Sequence, residues 1–111
     1  MAVYVNFDEG VKRVMNNVKF YVKMLGKFMA DTSMSDLDAA LTAGNMEKAY
    51  AACHTLKGLA GNLSLIELFN QCLELENQVK ANAVTPDRVD AVKNVHSLTL
   101  AEVEKVIAQN G

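Results

Sequence analysis

Residues 46–63 have the sequence MEKAYAACHTLKGLAGNL, and this stretch decides the fold. Its apolar residues recur at alternating steps of three and four, which is the spacing of one buried helix face in a bundle. The predicted buried face consists of Met46, Ala49, Cys53, Leu56, Ala60 and Leu63. A helix with one apolar face needs neighbouring helices to cover it, so the stretch favours a helical bundle.

The flanking sequence supplies those neighbours. Apolar positions with helical spacing predict helices at about 8–15, 17–31, 35–43, 45–62, 65–82 and 86–108. Helix-capping signals are expected at Ser35 with Asp38, Gly44-Asn45, Ser64 with Glu67, and Thr85-Pro86-Asp87. No stretch alternates with a period of two between hairpin turns, so a sheet is not expected. The prediction is all-α: an up-and-down antiparallel four-helix bundle with short additional N-terminal helices, in one domain over residues 1–111.

Charge, hydropathy and cysteine content exclude several classes of function. The net charge of −2 on 111 residues gives no general attraction to nucleic acid or to an anionic membrane. No apolar stretch approaches the ~20 residues of a membrane span, and the first ten residues lack a signal-peptide pattern. Cys53 and Cys72 form no C-x-x-C and no Cys/His cluster, so we expect reduced core thiols and no metal site. We expect a cytoplasmic protein with neither a nucleic-acid nor a membrane partner.

His54 lies on the side of the central helix that faces away from the predicted core. Counting about 100° per residue places Tyr50, Ala51, Lys57 and both glycines, Gly58 and Gly61, near it. A glycine inside a helix costs about 1 kcal/mol relative to alanine. Because these two lie on the outward face, we interpret them as clearing side chains from a surface that a partner approaches. Tyr50, Ala51, Gly58 and Gly61 are therefore candidate partner-binding residues.

An exposed imidazole beside a lysine suggests one particular chemistry. An imidazole is largely neutral at pH 7, so it is a competent nucleophile without a dedicated base. Lys57, one turn away, would favour a negatively charged product such as a phosphoryl group. The pattern therefore indicates a phosphohistidine at His54. An incidental surface histidine beside a solvated lysine is the alternative interpretation.

The sequence ACHTLKGLAGNL at 52–63 resembles the signature of histidine-containing phosphotransfer (Hpt) domains, which centres on H-x-L-K-G. The similarity extends from residues 7–11 and 21–28 through 37–47 to 68–74. The chain departs from the family at Ser64, where a glycine is frequent ten residues after the histidine. It also has Glu76 where some members have a glutamine on the facing helix near the imidazole, so the resemblance adds Glu76 to the candidate partner-binding residues. A carboxylate there would accept a hydrogen bond from the ring but would repel a phosphoryl group.

The resemblance implies a phosphorelay role. His54 would accept a phosphoryl group from a receiver-domain aspartate and pass it to another receiver, with Lys57 beside it and Gly58 clearing space. The implied partners are response-regulator receiver domains and a hybrid histidine kinase, and the protein would be a monomeric phosphate carrier rather than an enzyme. No cofactor is expected on this chain, because the Mg²⁺ would belong to the receiver.

Three other functions fit a helical bundle. A receiver-binding adaptor that carries no phosphate would need neither His54 nor Lys57. In the dimerisation domain of a histidine kinase an acidic residue would follow the histidine, where this chain has Thr55. A cofactor-binding bundle would need inward-facing histidine or Glu-x-x-His sets, and none is present. Outside this surface, we expect His96 to be structural or solvated and the row Lys19, Lys23 and Lys27 to be a solvated face, unless it meets an acidic partner.

Overall fold

Six α-helices make up the regular structure of the computed structural model, which describes residues 2–110. They are α1 (Phe7–Arg13), α2 (Val18–Met29), α3 (Ser33–Thr42), α4 (Met46–Asn62), α5 (Ile66–Lys80) and α6 (Pro86–Asn110). No strand occurs between residues 2 and 110, which confirms the all-α prediction. None of these helices combines the length and the apolar character needed to cross a bilayer.

Asparagine side chains begin three of the helices. Asn6, Asn17 and Asn45 each accept a hydrogen bond from the backbone N–H three residues later, which satisfies a donor that the first helical turn leaves free. Between α3 and α4, Gly44 takes the left-handed conformation with a φ of 70°, as expected for a helix end followed by a restart. The predicted cap at Thr85 is also present, because its hydroxyl oxygen accepts from Arg88 N at 3.3 Å.

The prediction that Ser35 caps α3 is wrong. The helix already begins at Ser33, whose N–H donates to the Asp31 carboxylate at 2.9 Å. Ser35 lies inside the helix, where its hydroxyl donates to the Thr32 carbonyl. The earlier carboxylate therefore satisfies the first free backbone donor and moves the start of α3 two residues upstream.

The prediction of a capping box at Ser64 and Glu67 is also wrong. Ser64 has a φ of 58° and ends α4 rather than starting α5. Its N–H donates to Gly61 O and the N–H of Leu65 donates to Ala60 O at 2.8 Å, which are the two bonds of a Schellman ending. This left-handed position favours glycine, which is the residue that the resemblance leads us to expect there. The Ser64 hydroxyl is not free to cap, since it donates to Glu9 Oε1 at 3.0 Å.

The N-terminal segment braces the turn between α4 and α5. Tyr21 is fully buried and donates its hydroxyl to the Leu63 carbonyl at 2.6 Å. The Tyr21 ring lies against Gly10, where any Cβ would collide with it. The backbone N–H of Asn6 donates to Ser64 O, and that of Glu67 donates to Val3 O. These contacts hold the relative position of α4 and α5, the two helices that carry the candidate site.

The helices pack as the pairs α3–α4, α4–α5, α5–α6 and α2–α6. Their buried apolar side chains form one continuous cluster. Five of the six residues predicted for the buried face of α4 are buried, and Met46 is partly buried. Cys53 and Cys72 are free, fully buried thiols within this cluster, as expected.

Candidate functional site

His54 projects from the middle of α4 into solvent, with 61% of its side chain exposed. Its Nδ1 atom lies 3.0 Å from Glu76 Oε2 on the neighbouring helix α5. An ionised carboxylate only accepts hydrogen bonds, so this contact requires the proton of the neutral ring to be on Nδ1. The lone pair of the neutral imidazole is then on Nε2, at the other edge of the ring.

Glu76 is the buried centre of the site, with only 3% of its side chain exposed. Lys57 Nζ donates to its Oε1 atom at 2.9 Å, while His54 holds Oε2. Burial opposes ionisation of this carboxyl, but the hydrogen bonds from Lys57 and His54 outweigh it and hold its pKa below the ordinary value. Glu76 is therefore an ionised acid with both oxygens engaged.

Lys57 is held by a partner on the neighbouring helix rather than extending freely into solvent. Only 18% of its side chain is exposed, and its ammonium is bonded to Glu76. This hydrogen bond raises the pKa of Lys57 above its ordinary value, so the residue stays charged at neutral pH. Its direct partner is thus a carboxylate, because α5 brings Glu76 within reach of the same turn of α4.

Tyr50 and Lys80 complete the group around the imidazole. The Tyr50 ring stacks on the His54 ring, with centroids 5.8 Å apart and an interplanar angle of 14°. Lys80, one turn after Glu76 on α5, places its Nζ atom 5.6 Å from the centroid of the Tyr50 ring. The same atom lies 3.7 Å from Glu76 Oε1. Sequence reasoning missed Lys80, although its four-residue spacing from Glu76 is a common ion-pair signal on helices.

The two glycines differ in their surroundings. Gly58 is exposed, and a Cβ built on it would meet nothing within 4 Å. No side chain therefore obstructs the surface at Gly58, and its interpretation as a surface that a partner approaches stays a prediction. Gly61 is half-buried, and a Cβ there would make an ordinary packing contact with the Phe69 ring at 3.4 Å, so its place on a partner-binding surface stays a prediction. Ala51 is exposed and lines a groove between α3 and α4, together with Ala39 and Thr55.

A second groove lies on the far side of Gly58, between α2 and α4. It is lined by the half-exposed Phe20 together with Met24 and Leu59, and two of the three lysines in the α2 row, Lys23 and Lys27, border it. The row therefore flanks an apolar surface rather than forming a uniformly solvated face.

His96 lies apart from these groups, on α6. It is half-buried, its ring meets the Phe28 ring edge-on at 5.9 Å, and burial lowers its pKa. This placement matches the structural role expected for it. Among residues 2–110 no cluster of histidine, cysteine or acidic side chains is arranged to hold a metal ion.

The arrangement around His54 can support nucleophilic attack by nitrogen. The ring is exposed, its tautomer is fixed by a buried carboxylate, and two ammonium groups lie near that carboxylate. In comparisons with known proteins, the Hpt domain family matches residues 24–108, which include α4, α5 and every side chain of the site. The chain belongs to the Hpt domain family. Hpt domains act in phosphotransfer within two-component signalling and are phosphate carriers rather than enzymes.

Comparison of this Hpt domain with curated proteins and with solved structures gives no match. The family match begins in the middle of α2, ends within α6 and does not include α1. The bracing of the α4–α5 turn by residues 3–10 is therefore a feature of this chain outside the matched region.

Proposed function

We propose that this Hpt domain is a phosphorelay intermediate in which His54 carries the phosphoryl group. The observation that supports this most strongly is the hydrogen bond between His54 Nδ1 and the buried carboxylate of Glu76, at 3.0 Å. It leaves the Nε2 lone pair as the nucleophile and directs reaction to the exposed edge of the ring.

The proposed step transfers a phosphoryl group between two proteins. His54 Nε2 attacks the phosphorus of an aspartyl phosphate on a receiver domain, and the new N–P bond forms as the P–O bond to the aspartate breaks. The aspartate leaves as a carboxylate, while the His54 ring keeps the proton on Nδ1 and becomes positively charged. Transfer to a second receiver reverses these steps. The Mg²⁺ that assists the aspartate belongs to the receiver domain.

Glu76 has a defined role in this step. A positive charge develops on the imidazole as the N–P bond forms, and the Glu76 carboxylate lies next to the proton that carries it. A buried carboxylate that orients an imidazole and stabilises the imidazolium is a known device for strengthening a histidine. Repulsion between Glu76 and the phosphoryl group is limited, because Lys57 already neutralises the carboxylate at 2.9 Å.

The receiver is proposed to approach over Gly58. A recessed aspartyl phosphate needs close access to the ring, and a Cβ at Gly58 would meet nothing within 4 Å outside its own stretch of helix. From there the partner surface would extend into the groove between α2 and α4, where Phe20 supplies apolar area and Lys23 and Lys27 supply charge. Such a surface suits a partner with an apolar patch and acidic neighbours.

The remaining features of the proposal follow from this role. The three-residue connection between α4 and α5 and the five-residue connection between α5 and α6 support an up-and-down antiparallel order, since each joins helices that pack together. We place one Hpt unit over residues 1–111, acting as a monomer in the cytoplasm with a hybrid histidine kinase and response regulators as partners.

A phosphotransfer assay tests the proposed function. A purified receiver domain is charged with acetyl phosphate and Mg²⁺ and mixed with the wild-type chain, with His54→Gln and with His96→Gln. The expected result is acid-labile, base-stable phosphate on the wild type and on His96→Gln, and none on His54→Gln. If the wild type binds the charged receiver but takes no phosphate, the chain is a receiver-binding adaptor and the relay proposal is wrong.

A further inference from the structure

The carboxylate of Glu76 is surrounded by more positive charge than it can neutralise. With a neutral imidazole, the ammonium groups of Lys57 and Lys80 face a single buried carboxylate. The charges of these three side chains sum to +1, and they lie beside an imidazole ring whose Nε2 edge is open. A phosphoryl group brings about −1.5 to −2 charges at pH 7, so an excess of positive charge at this position favours it.

The two lysines are not equally available. Lys57 is 18% exposed and its Nζ atom lies at hydrogen-bond distance from Glu76, 2.9 Å. Lys80 is 55% exposed, and its 3.7 Å separation from the same oxygen exceeds a hydrogen bond. Lys57 is therefore engaged, whereas Lys80 can reorient without breaking a direct bond.

The Tyr50 ring holds Lys80 on the histidine side of α5. Lys80 Nζ lies 5.6 Å from the ring centroid, within the range of a cation–π contact. The same ring stacks on His54. Tyr50 thus contacts both the histidine and the less constrained lysine, and Lys80 needs only a side-chain rotation to turn from this ring toward the imidazole.

From this arrangement we infer that Lys80, rather than Lys57, is the cation that binds the phosphoryl group on His54. Lys57 remains paired with Glu76 in both states and keeps that carboxylate neutralised. On phosphorylation Lys80 leaves the vicinity of Glu76 and donates a charge-assisted hydrogen bond to a phosphoryl oxygen. The inference rests on the proposed function, since it requires His54 to carry phosphate.

The test is a ³¹P NMR titration of the phosphorylated chain without a receiver. Phosphoramidate loads His54 directly: the N–P bond forms at the ring as the donor's N–P bond breaks, and ammonia leaves. A nearby cation favours the more negative form of the phosphoryl group. We therefore expect Lys80→Gln to lower the acid dissociation constant of the phosphoryl group by about two- to five-fold, the range of a partly exposed charge pair. Lys80→Arg should restore it.

Matched variants separate this role from others. Lys105 on α6 has the same kind of intrahelical pair, 3.9 Å from Glu102, so Lys105→Gln should titrate like the wild type. In a Glu76→Gln background the effect of Lys80→Gln should persist, because the contact is to phosphate and not through Glu76. Urea unfolding of unphosphorylated Lys80→Gln should differ from the wild type only by the small contribution of a half-exposed ion pair, as expected for a residue without a packing role.

Failure of the relay proposal and failure of the inference about Lys80 give different results. If phosphoramidate and a charged receiver both leave His54 unlabelled in the wild type, the relay proposal fails and the role of Lys80 fails with it. If His54 is labelled but Lys80→Gln titrates like the wild type, only the role of Lys80 is wrong. A shift that Lys57→Gln produces and Lys80→Gln does not would assign the phosphoryl contact to Lys57.

Discussion

Glu76 accepts a hydrogen bond from His54 Nδ1 at 3.0 Å, although the two residues are 22 positions apart in the chain. This bond joins the exposed end of the site to its buried end, because Glu76 is almost completely covered while His54 faces solvent. It also makes the reactivity of a surface histidine depend on a carboxylate at the interface of α4 and α5.

Glu76→Gln tests the energetic weight of this carboxylate. The amide keeps the shape but leaves the partly buried Lys57 ammonium without an opposite charge at 2.9 Å. We expect the free energy of unfolding at pH 7 to fall by about 1–3 kcal/mol, the usual contribution of a hydrogen bond to a charged group. Urea unfolding measures it, and an unchanged midpoint would show that the ion pair contributes nothing.

The loss of stability at acidic pH provides a second measurement of the role of Glu76. Its folded-state pKa lies below the ordinary value of 4.5, so the unfolded chain binds the proton more readily. The stabilisation is therefore complete above about pH 4.5 and is lost as the pH falls through the folded-state pKa. Glu76→Gln should lose stability less steeply than the wild type over this range. If the wild type and Glu76→Gln lose stability equally steeply as the pH falls, the lowered pKa of Glu76 is contradicted.

The glycines of α4 should respond differently to substitution. At Gly58 a side chain meets open space, so Gly58→Ala should stabilise the domain by up to about 1 kcal/mol. Gly58→Gln should also fold but should weaken receiver binding and slow phosphotransfer. At Gly61 a Cβ would already be in packing contact with the Phe69 ring at 3.4 Å, so we expect the longer side chain of Gly61→Gln to crowd this ring and lower the urea midpoint.

Gly58→Gln tests whether the receiver docks over Gly58, and Gly61→Gln shows the effect of a side chain that crowds the fold instead. Unfolding of Gly58→Gln would identify Gly58 as a packing residue. Phosphotransfer at the wild-type rate by folded Gly58→Gln would place the receiver on another face.

Much of this site follows from local sequence, and the rest depends on contacts across the fold. The three- and four-residue spacing predicted α4 to within a residue and placed His54 outside the core, because both depend only on helical period. The partners of Glu76 depend on how α5 lies against α4, which periodicity does not specify. Family resemblance indicated Glu76 near the imidazole, but its simultaneous contacts with Lys57 and Lys80 required the structure.

Ser64 shows how one residue type fits two local structures. A serine followed three residues later by a glutamate is a common helix start, and that interpretation was wrong here. The actual helix ending is maintained by Glu9, 55 positions earlier, which accepts the Ser64 hydroxyl. No local pattern contains that partner. The family resemblance marked the position as one where glycine is frequent, and the positive φ of 58° supplies the physical reason.

At Ser64, glycine should therefore give a more stable protein than alanine, which is the reverse of their usual order within a helix. Both Ser64→Ala and Ser64→Gly lose the hydrogen bond to Glu9, but only glycine relieves the left-handed backbone, by about 1 kcal/mol. The glycine variant should be the more stable of the two in urea unfolding. Gly58→Ala serves as the matched control, where alanine should be the more stabilising residue. Greater stability of Ser64→Ala than of Ser64→Gly would contradict the helix-ending role.

The most direct test of the relay proposal is the identity of the nitrogen that carries phosphate. Phosphorylated, ¹⁵N-histidine-labelled protein can be examined by NMR for coupling between phosphorus and the ring nitrogens of His54. Because Glu76 occupies Nδ1 at 3.0 Å, we predict coupling to Nε2 of His54, with the proton retained on Nδ1. Phosphate on Nδ1 of His54, or on His96, would contradict the account.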